Sequence, residues 1–361
     1  MLFKTLIKTA LLAQAIAAPV AHQHHQHNNE KRAVQVVTET NIVVVTVAAG
    51  AATTTFPAAT LPSPAADVSV SEVHDAPQAA PSETPSYTAA AASSQASASP
   101  DASSIGAGGA KGITYSPYAD NGACKSYDQI ASDIAILSGF DIIRLYGVDC
   151  DQVGSVLKAK SSSQKVFAGI FYMDQIEAGV QTIADAVSAN GSWDDIYTVS
   201  VGNELVNSGQ CGPAQIAQYV ATARSALTAA GYTGPVVSVD TFIAVINNPS
   251  LCQYSDYIAV NAHAFFDGHY TAPDAGAWVL QQIQNVWTAC GGQKNVLITE
   301  TGWPSQGDAN GVAVPSEQNQ QAAISSIKST CGNDAILFTA FNDLWKAPGP
   351  FNAEQWWGIE N

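Results

Sequence analysis

Charge is what this sequence is shortest of. Only 12% of its 361 residues are Asp, Glu, Lys or Arg, about half the share of an ordinary globular protein. Basic residues are the scarcest, with 14 Lys and Arg against 30 Asp and Glu and a formal net charge of −16. A phosphate backbone would be repelled by that balance, so nucleic-acid binding is excluded as the main task. Long hydrophobic runs are missing too. Beyond the N-terminus no stretch approaches the roughly 18 apolar residues that cross a bilayer, which excludes a membrane span in the mature chain. There is no CxxC pair, no GxSxG elbow for an esterase and no HExxH for a zinc hydrolase. No cofactor and no metal are expected. An uncharged polar partner such as a sugar remains open.

The first residues read as an address. Lys4 and Lys8 precede an apolar run from Thr9 to Ile16, and Ala15, Ala17 and Ala18 lead to Pro19. This is the layout of a secretory signal peptide over residues 1–18. Residues 19–32 carry His22, His24, His25 and His27 and end in Lys31-Arg32, a dibasic processing site that closes a pro-segment. Cleavage there would remove four of the seven histidines, so metal chemistry is not expected from them. Residues 33–47 form a Val- and Thr-rich, β-prone strip, suited to wall association or to packing as an extra strand. Between 48 and 110 there is no Lys or Arg, and Phe56 and Tyr87 are the only aromatics among Ala, Ser, Thr and Pro. Such a stretch cannot bury enough apolar surface to offset its ordering entropy, so a disordered, O-glycosylated linker is expected. Gly106 to Gly112 lacks the spacing of a phosphate loop and reads as its flexible end.

Residues 111–361 read as globular. Eight β-branched or aromatic runs recur: Gly112–Tyr118, Asp141–Tyr146, Lys165–Phe171, Tyr197–Val201, Pro235–Val239, Tyr257–Ala262, Asn295–Thr299 and Ala335–Phe341. Helix-like stretches lie between most of them, among them Tyr127–Ser138, Gln175–Ala189, Pro213–Ala230, Ala275–Ala289 and Ser316–Thr330. Strand–helix alternation of this extent predicts the α/β class and a (β/α)8 TIM barrel. A doubly wound open sheet would want a Gly-rich turn after its first strand, where this chain has SPYADNG. All six cysteines lie here, and an even count in an exported chain suggests three disulfides. Cys124 with Cys150 and Cys290 with Cys331 are geometrically reasonable pairs. Asn190-Gly191-Ser192 is the usable N-glycosylation sequon.

In such a barrel the chemistry sits in the loops that follow the strands. Strand four ends in VGNE and strand seven in ITETGWPS, which puts Glu204 and Glu300 at the same mouth. Two carboxylates across a cleft are the minimum machinery for glycoside hydrolysis, one protonating the leaving oxygen and the other attacking the anomeric carbon. In a retaining enzyme they stand about 5–5.5 Å apart.

These two strings resemble glycoside hydrolase family 17, the β-1,3-glucanases, and the likeness runs from about Lys111 to the C-terminus. The resemblance implies that the catalytic residues are Glu204, the general acid/base, and Glu300, the nucleophile of a retaining, endo-acting enzyme. It implies further that Asn203 bonds the sugar 2-hydroxyl. FNDLWK fits the family's acidic residue followed three positions later by Lys, here Asp343 and Lys346. Glu354, before QWWGI, falls where the family has another cleft carboxylate. Those three would form either an ionic network that tunes Glu300 or an ordinary rim salt bridge. Plant members carry Asn-x-Tyr-Pro after strand six, whereas this chain has Asn261-Ala262-His263-Ala264. That departure makes His263 a sugar contact or a support for Glu300. Asp343 stands where many members have the longer Glu.

Aromatic rings past strand ends suit a sugar cleft, because the C–H faces of sugars stack on them. Tyr115, Phe265, Trp303 and Trp345 are the candidate platforms, while Phe171 and Tyr146 are expected to pack in the core. The expected partner is a β-glucan polysaccharide of the cell wall, met by an exported, monomeric enzyme at an acidic pH that keeps Glu204 protonated. The signal, Lys-Arg site, strip and spacer are similar to those of fungal cell-surface mannoproteins in the family. Hydrolysis and glucanosyl transfer would use the same machinery. A barrel kept only for adhesion would be expected to lose a carboxylate, and both are present. The chain closes on WWGIEN without a hydrophobic tail, so no GPI anchor is expected.

Overall fold

The computed structural model describes residues 108–360. The expected signal peptide, pro-segment and Val/Thr strip, and nearly all of the linker, lie outside the described residues.

Strands β1 (Gly112–Thr114), β2 (Ile142–Arg144), β3 (Lys165–Ile170) and β4 (Ile196–Asn203) are followed by β5 (Val236–Thr241), β6 (Ile258–Asn261), β7 (Val296–Thr301) and β8 (Ala335–Leu337). Each pairs in parallel with the next, and β8 closes on β1 with Ile336 opposite Gly112. The result is the (β/α)8 barrel that the alternation of runs predicts. Helices α1 (Tyr127–Ile136), α2 (Gln152–Ala159), α3 (Ile176–Asn190), α4 (Pro213–Ala229), α5 (Phe242–Asn247), α6 (Ala275–Ala289) and α7 (Glu317–Cys331) return the chain outside it. Their starts follow from local chemistry. Ser126 and Gln129 form a reciprocal capping box on α1, and Pro213 opens α4 with the one residue that has no amide hydrogen to leave unpaired.

Alternation along the strands sorts the apolar residues into two layers. Ile142, Phe167, Val237, Val239, Ala259, Leu297 and Ile336 fill the barrel. Ile143, Val166, Ala168, Val260 and Ile298 face the helices, which offer apolar stripes such as Ile176, Val180, Ile183 and Val187 of α3. Strands β1 and β8 stop short of the runs through Tyr118 and Phe341, because both chains leave the ladder there to build the rim of the mouth.

Two slips in register shape the mouth. Ser200 lies opposite Val237 but Asn203 opposite Val239, and Val260 lies opposite Ile298 but Asn261 opposite Glu300. Each slip puts one extra residue into β4 or β7 just before the strand ends, a bulge that re-aims the side chains after it. In β4, Gly202 accommodates the slip at φ +76°.

The cysteine pattern differs from expectation in one pairing and in number. Cys124 and Cys150 are bonded, tying the loop after β1 to the loop after β2. Cys290, at the end of α6, bonds Cys252 rather than Cys331, because the short turn after α5 lies beside it. Cys331 is buried in the last turn of α7, where its thiol faces the Ile327 carbonyl, and Cys211 is also free. Two disulfides therefore replace the expected three.

Candidate active site

Parallel closure brings every strand's C-terminal end to one mouth, and a cleft of about 590 Å³ opens there, within the range of small-ligand sites. Arg144, the last residue of β2, points up the inside of the barrel and is 1% exposed. A guanidinium so enclosed needs its charge matched by its neighbours. Its Nη1 donates to Glu300 Oε1 (2.9 Å), to the Thr299 carbonyl (2.7 Å) and to Asn261 Oδ1 (3.3 Å), and its Nη2 donates to Asn203 Oδ1 (2.9 Å). One side chain thus joins β2 to β4, β6 and β7.

The bulge in β7 explains how Glu300 reaches this hub. Thr299 already faces inward, with its hydroxyl on Asn261 Oδ1 at 2.8 Å. Strict alternation would turn Glu300 outward, and the extra residue turns it back. Its Oε1 accepts from Arg144 and from the Tyr146 hydroxyl (3.0 Å), and its Oε2 lies 3.4 Å from His263 Nε2. Burial alone would push the Glu300 carboxyl up. Arg144, then His263 and Tyr146, outweigh it and hold the carboxyl at about 2. Burial, followed by the Glu300 charge, raises the Tyr146 hydroxyl, so it stays a donor.

Glu204 follows the β4 bulge at φ +55°, a left-handed conformation unusual for a side chain of its kind. The end of β5 braces it. The Glu204 amide donates to the Val239 carbonyl (3.0 Å). Asp240 accepts from the amides of Val206 (2.8 Å), Asn207 (3.1 Å) and Thr241 (2.9 Å). Asn261 Nδ2 donates to Glu204 Oε1 at 2.8 Å, so the two carboxylates hang on one chain of hydrogen bonds through Asn261 and Arg144. Burial and then the Glu300 charge push the Glu204 carboxyl up, and Asn261 and His263 offset this only in part. The two glutamates are therefore driven apart, one towards the ionised and one towards the protonated form.

Seven of the residues expected at the site line this cleft: Asn203, Glu204, His263, Glu300, Trp345, Lys346 and Glu354. Asp343 is buried beneath the rim, accepting from the Trp345 indole (3.0 Å) and pairing with Lys346 (2.8 Å). Glu354 makes no ion pair among the described residues, so of the two alternatives it is the rim pair of Asp343 and Lys346 that forms, and Arg144 and His263 contact Glu300 instead.

Three expected platforms do not reach the cleft. Tyr115, Phe265 and Trp303 are fully buried. The Tyr115 hydroxyl bonds Asp133 (2.7 Å), and the Trp303 indole bonds the Val314 carbonyl (3.0 Å). Phe265 meets Phe266, Trp303 and Trp357 edge-on beneath the rim. Phe171, expected in the core, is half exposed and lines the cleft beside Tyr172, and Tyr146 touches Glu300 there. Tyr118 adds a ring that the sequence does not mark as a platform. Its ring packs against Trp345 at 4.9 Å with 60° between their planes, and its hydroxyl donates to Asp149 (2.8 Å). Arg144 and Asn261 also receive no role from the sequence, although a charge at an inward position of an apolar strand is itself a signal.

Comparison with known proteins places this geometry. A profile of the BtgE/BtgC glycoside hydrolase domain matches residues 112–358. A cell surface mannoprotein of Candida albicans is 66% identical, with 99% of both chains covered. A probable family 17 glucosidase of Saccharomyces cerevisiae is 68% identical over 70% of this chain and 65% of its own length. A probable beta-glucosidase of Aspergillus clavatus is 36% identical over 73% of this chain, which spans 47% of that relative. The crystal structure of a family 17 β-1,3-glucanosyltransferase from Rhizomucor miehei shares the fold, with a TM-score of 0.59 at 21% identity over 70% of this chain and 92% of that one. The chain belongs to glycoside hydrolase family 17, and a barrel of the BtgE/BtgC type makes up almost all of its described residues.

Proposed function

We propose that the protein is an exported cell-wall enzyme that cleaves β-1,3-glucan within the chain by retaining double displacement. The observation that carries the reading is the opposite tuning of two glutamates at one mouth. In the first step Glu300 attacks the anomeric carbon, the bond to the leaving sugar breaks, and Glu204 gives its proton to the departing oxygen. In the second step Glu204 takes a proton from water, whose oxygen displaces Glu300. Asn203 Oδ1 is engaged by Arg144 and Asn261, which leaves its amide hydrogens to donate to the sugar 2-hydroxyl. Trp345 and Tyr118 offer ring faces to sugar, and the acidic chain suits an uncharged polymer. Likeness to a cell surface mannoprotein along the whole chain supports a place at the wall.

Glucanosyl transfer uses the same two carboxylates with a glucan hydroxyl in place of water. A product time course on reduced laminari-oligosaccharides, followed by mass spectrometry, tests both. Hydrolysis gives shorter products alone, and transfer gives products longer than the starting sugar. No change with folded protein would sink the glucanase reading and favour adhesion.

A further inference from the structure

At the edge of the cleft the chain holds one exposed ring in a conformation it would not adopt unaided. The loop after β8 sets Phe351 at φ +57°, in the left-handed region that bulky residues avoid, and Asn352, which tolerates that region, at φ +51°. Such positions persist only where neighbours impose them, and they gather at functional sites. Here the loop after β7 imposes them. The Asp308 amide donates to the Phe351 carbonyl (2.6 Å), and Asn352 Nδ2 donates to Asp308 Oδ2 (2.6 Å). Gly307, itself at φ +122°, leaves the room: a β-carbon there would lie 2.7 Å from the Phe351 oxygen.

The ring so held is 37% exposed despite being large and apolar. It lies 6.5 Å from the ring of Phe266 with only 38° between their planes, and Phe265 meets both edge-on from within the protein, at 5.8 and 5.4 Å. Phe266 is 40% exposed and lines the cleft, so the pair continues the cleft wall outward rather than forming a separate patch. Two partly exposed rings continuous with a sugar-sized cleft match the apolar faces of successive pyranose units. The carboxylate and amide of Asp308 and Asn352, at the edge of the turn, match their hydroxyls.

We propose that Phe351 and Phe266 form a platform for the β-glucan chain where it leaves the cleft, a binding site that makes the enzyme favour long chains over short ones. The platform rests on the glucanase reading above. Its test is kcat/KM on a long soluble β-1,3-glucan and on laminaritriose, for wild type, Phe351→Ala and Phe351→Trp. The long-to-short ratio falls about three- to tenfold in Phe351→Ala, the range expected for one lost ring contact, and returns in Phe351→Trp. Phe351→Leu keeps apolar bulk against Phe265 but has no ring face, and it gives the same fall should the alanine variant not fold. Equal loss on both sugars, or an unmoved ratio in a wild type and variants that cleave both, overturns the platform alone. A wild type inert to both sugars removes the glucanase reading and the platform with it.

Discussion

A buried guanidinium is tolerable only when its surroundings answer it, and Arg144 is answered by Glu300, Asn203 and Asn261, two of which carry roles in the proposed reaction. Replacing it by Met would strand the Glu300 charge in the barrel, at a cost of about 3–5 kcal/mol, measurable by denaturant unfolding. Without Arg144 the Glu300 carboxyl would ionise at a higher pH, so the acidic limb of the activity profile would move upward. An unmoved limb would show that Arg144 does not hold Glu300 ionised. Glu300→Gln should lower kcat by at least about 10⁴-fold, the scale of losing a covalent nucleophile. Near wild-type turnover in that variant would remove the assignment. Glu204→Ala should be rescued in part by azide, which needs no general base, giving a β-glycosyl azide; an α product would count against the acid/base role. The two glutamates were legible because each ends a β-rich run inside an unusual string. The rings were not legible, since an aromatic at a strand end can turn into the core, as Tyr115 and Trp303 do, or out over the mouth, as Phe171 does.

Among the elements, the loop after β4 is the one most dependent on a neighbour. Asp240, 4% exposed at the end of β5, gathers three backbone amides and so fixes the turn that presents Glu204 in its left-handed conformation. Asp240→Asn can accept through only one of its two side-chain atoms. Glucan turnover should fall about 10- to 100-fold from misplacement of the acid. The fall should be smaller for aryl β-laminaribiosides with good leaving groups, which need little protonation. Equal losses on both substrates would make Asp240 structural only. The eight runs and the longer helices were readable from periodicity, whereas α5, at six residues, is too short for a helical period to register. The bulges in β4 and β7 could not be read at all, because a one-residue slip leaves no mark in the pattern of apolar residues. They nevertheless decide which side of each strand carries a glutamate.

Across the whole molecule, titration pulls stability in two directions. Glu300 falls from an ordinary 4.5 to about 2 on folding, so its contribution is complete above 4.5 and is lost as the pH drops from there towards 2. Glu204 and Asp240 are raised, chiefly by burial, and the stability linked to them is present below their ordinary values and lost as the pH rises through their folded ones. Melting temperature should therefore peak in mildly acidic solution, and Glu300→Gln should flatten the decline at the acid end. A wild-type maximum in alkaline solution would contradict the sign given to Glu204 and Asp240, and stability that held steady from pH 4.5 towards 2 would contradict the sign given to Glu300. The architecture was readable at this scale because strand–helix alternation repeats eight times, while one cysteine pairing was not, since a disulfide depends on which turns meet in space.

Arg144 also has a mechanical meaning. Its partners on β4, β6 and β7 do not adjoin β2 in the sheet, so their bonds run through the lumen and strut one wall of the barrel against another. A drum strutted through its own proposed reactive centre cannot gape without unmaking that centre. Loss of turnover on heating and loss of barrel closure should then be a single cooperative event. A sugar analogue gripped at the mouth would delay both by the same number of degrees.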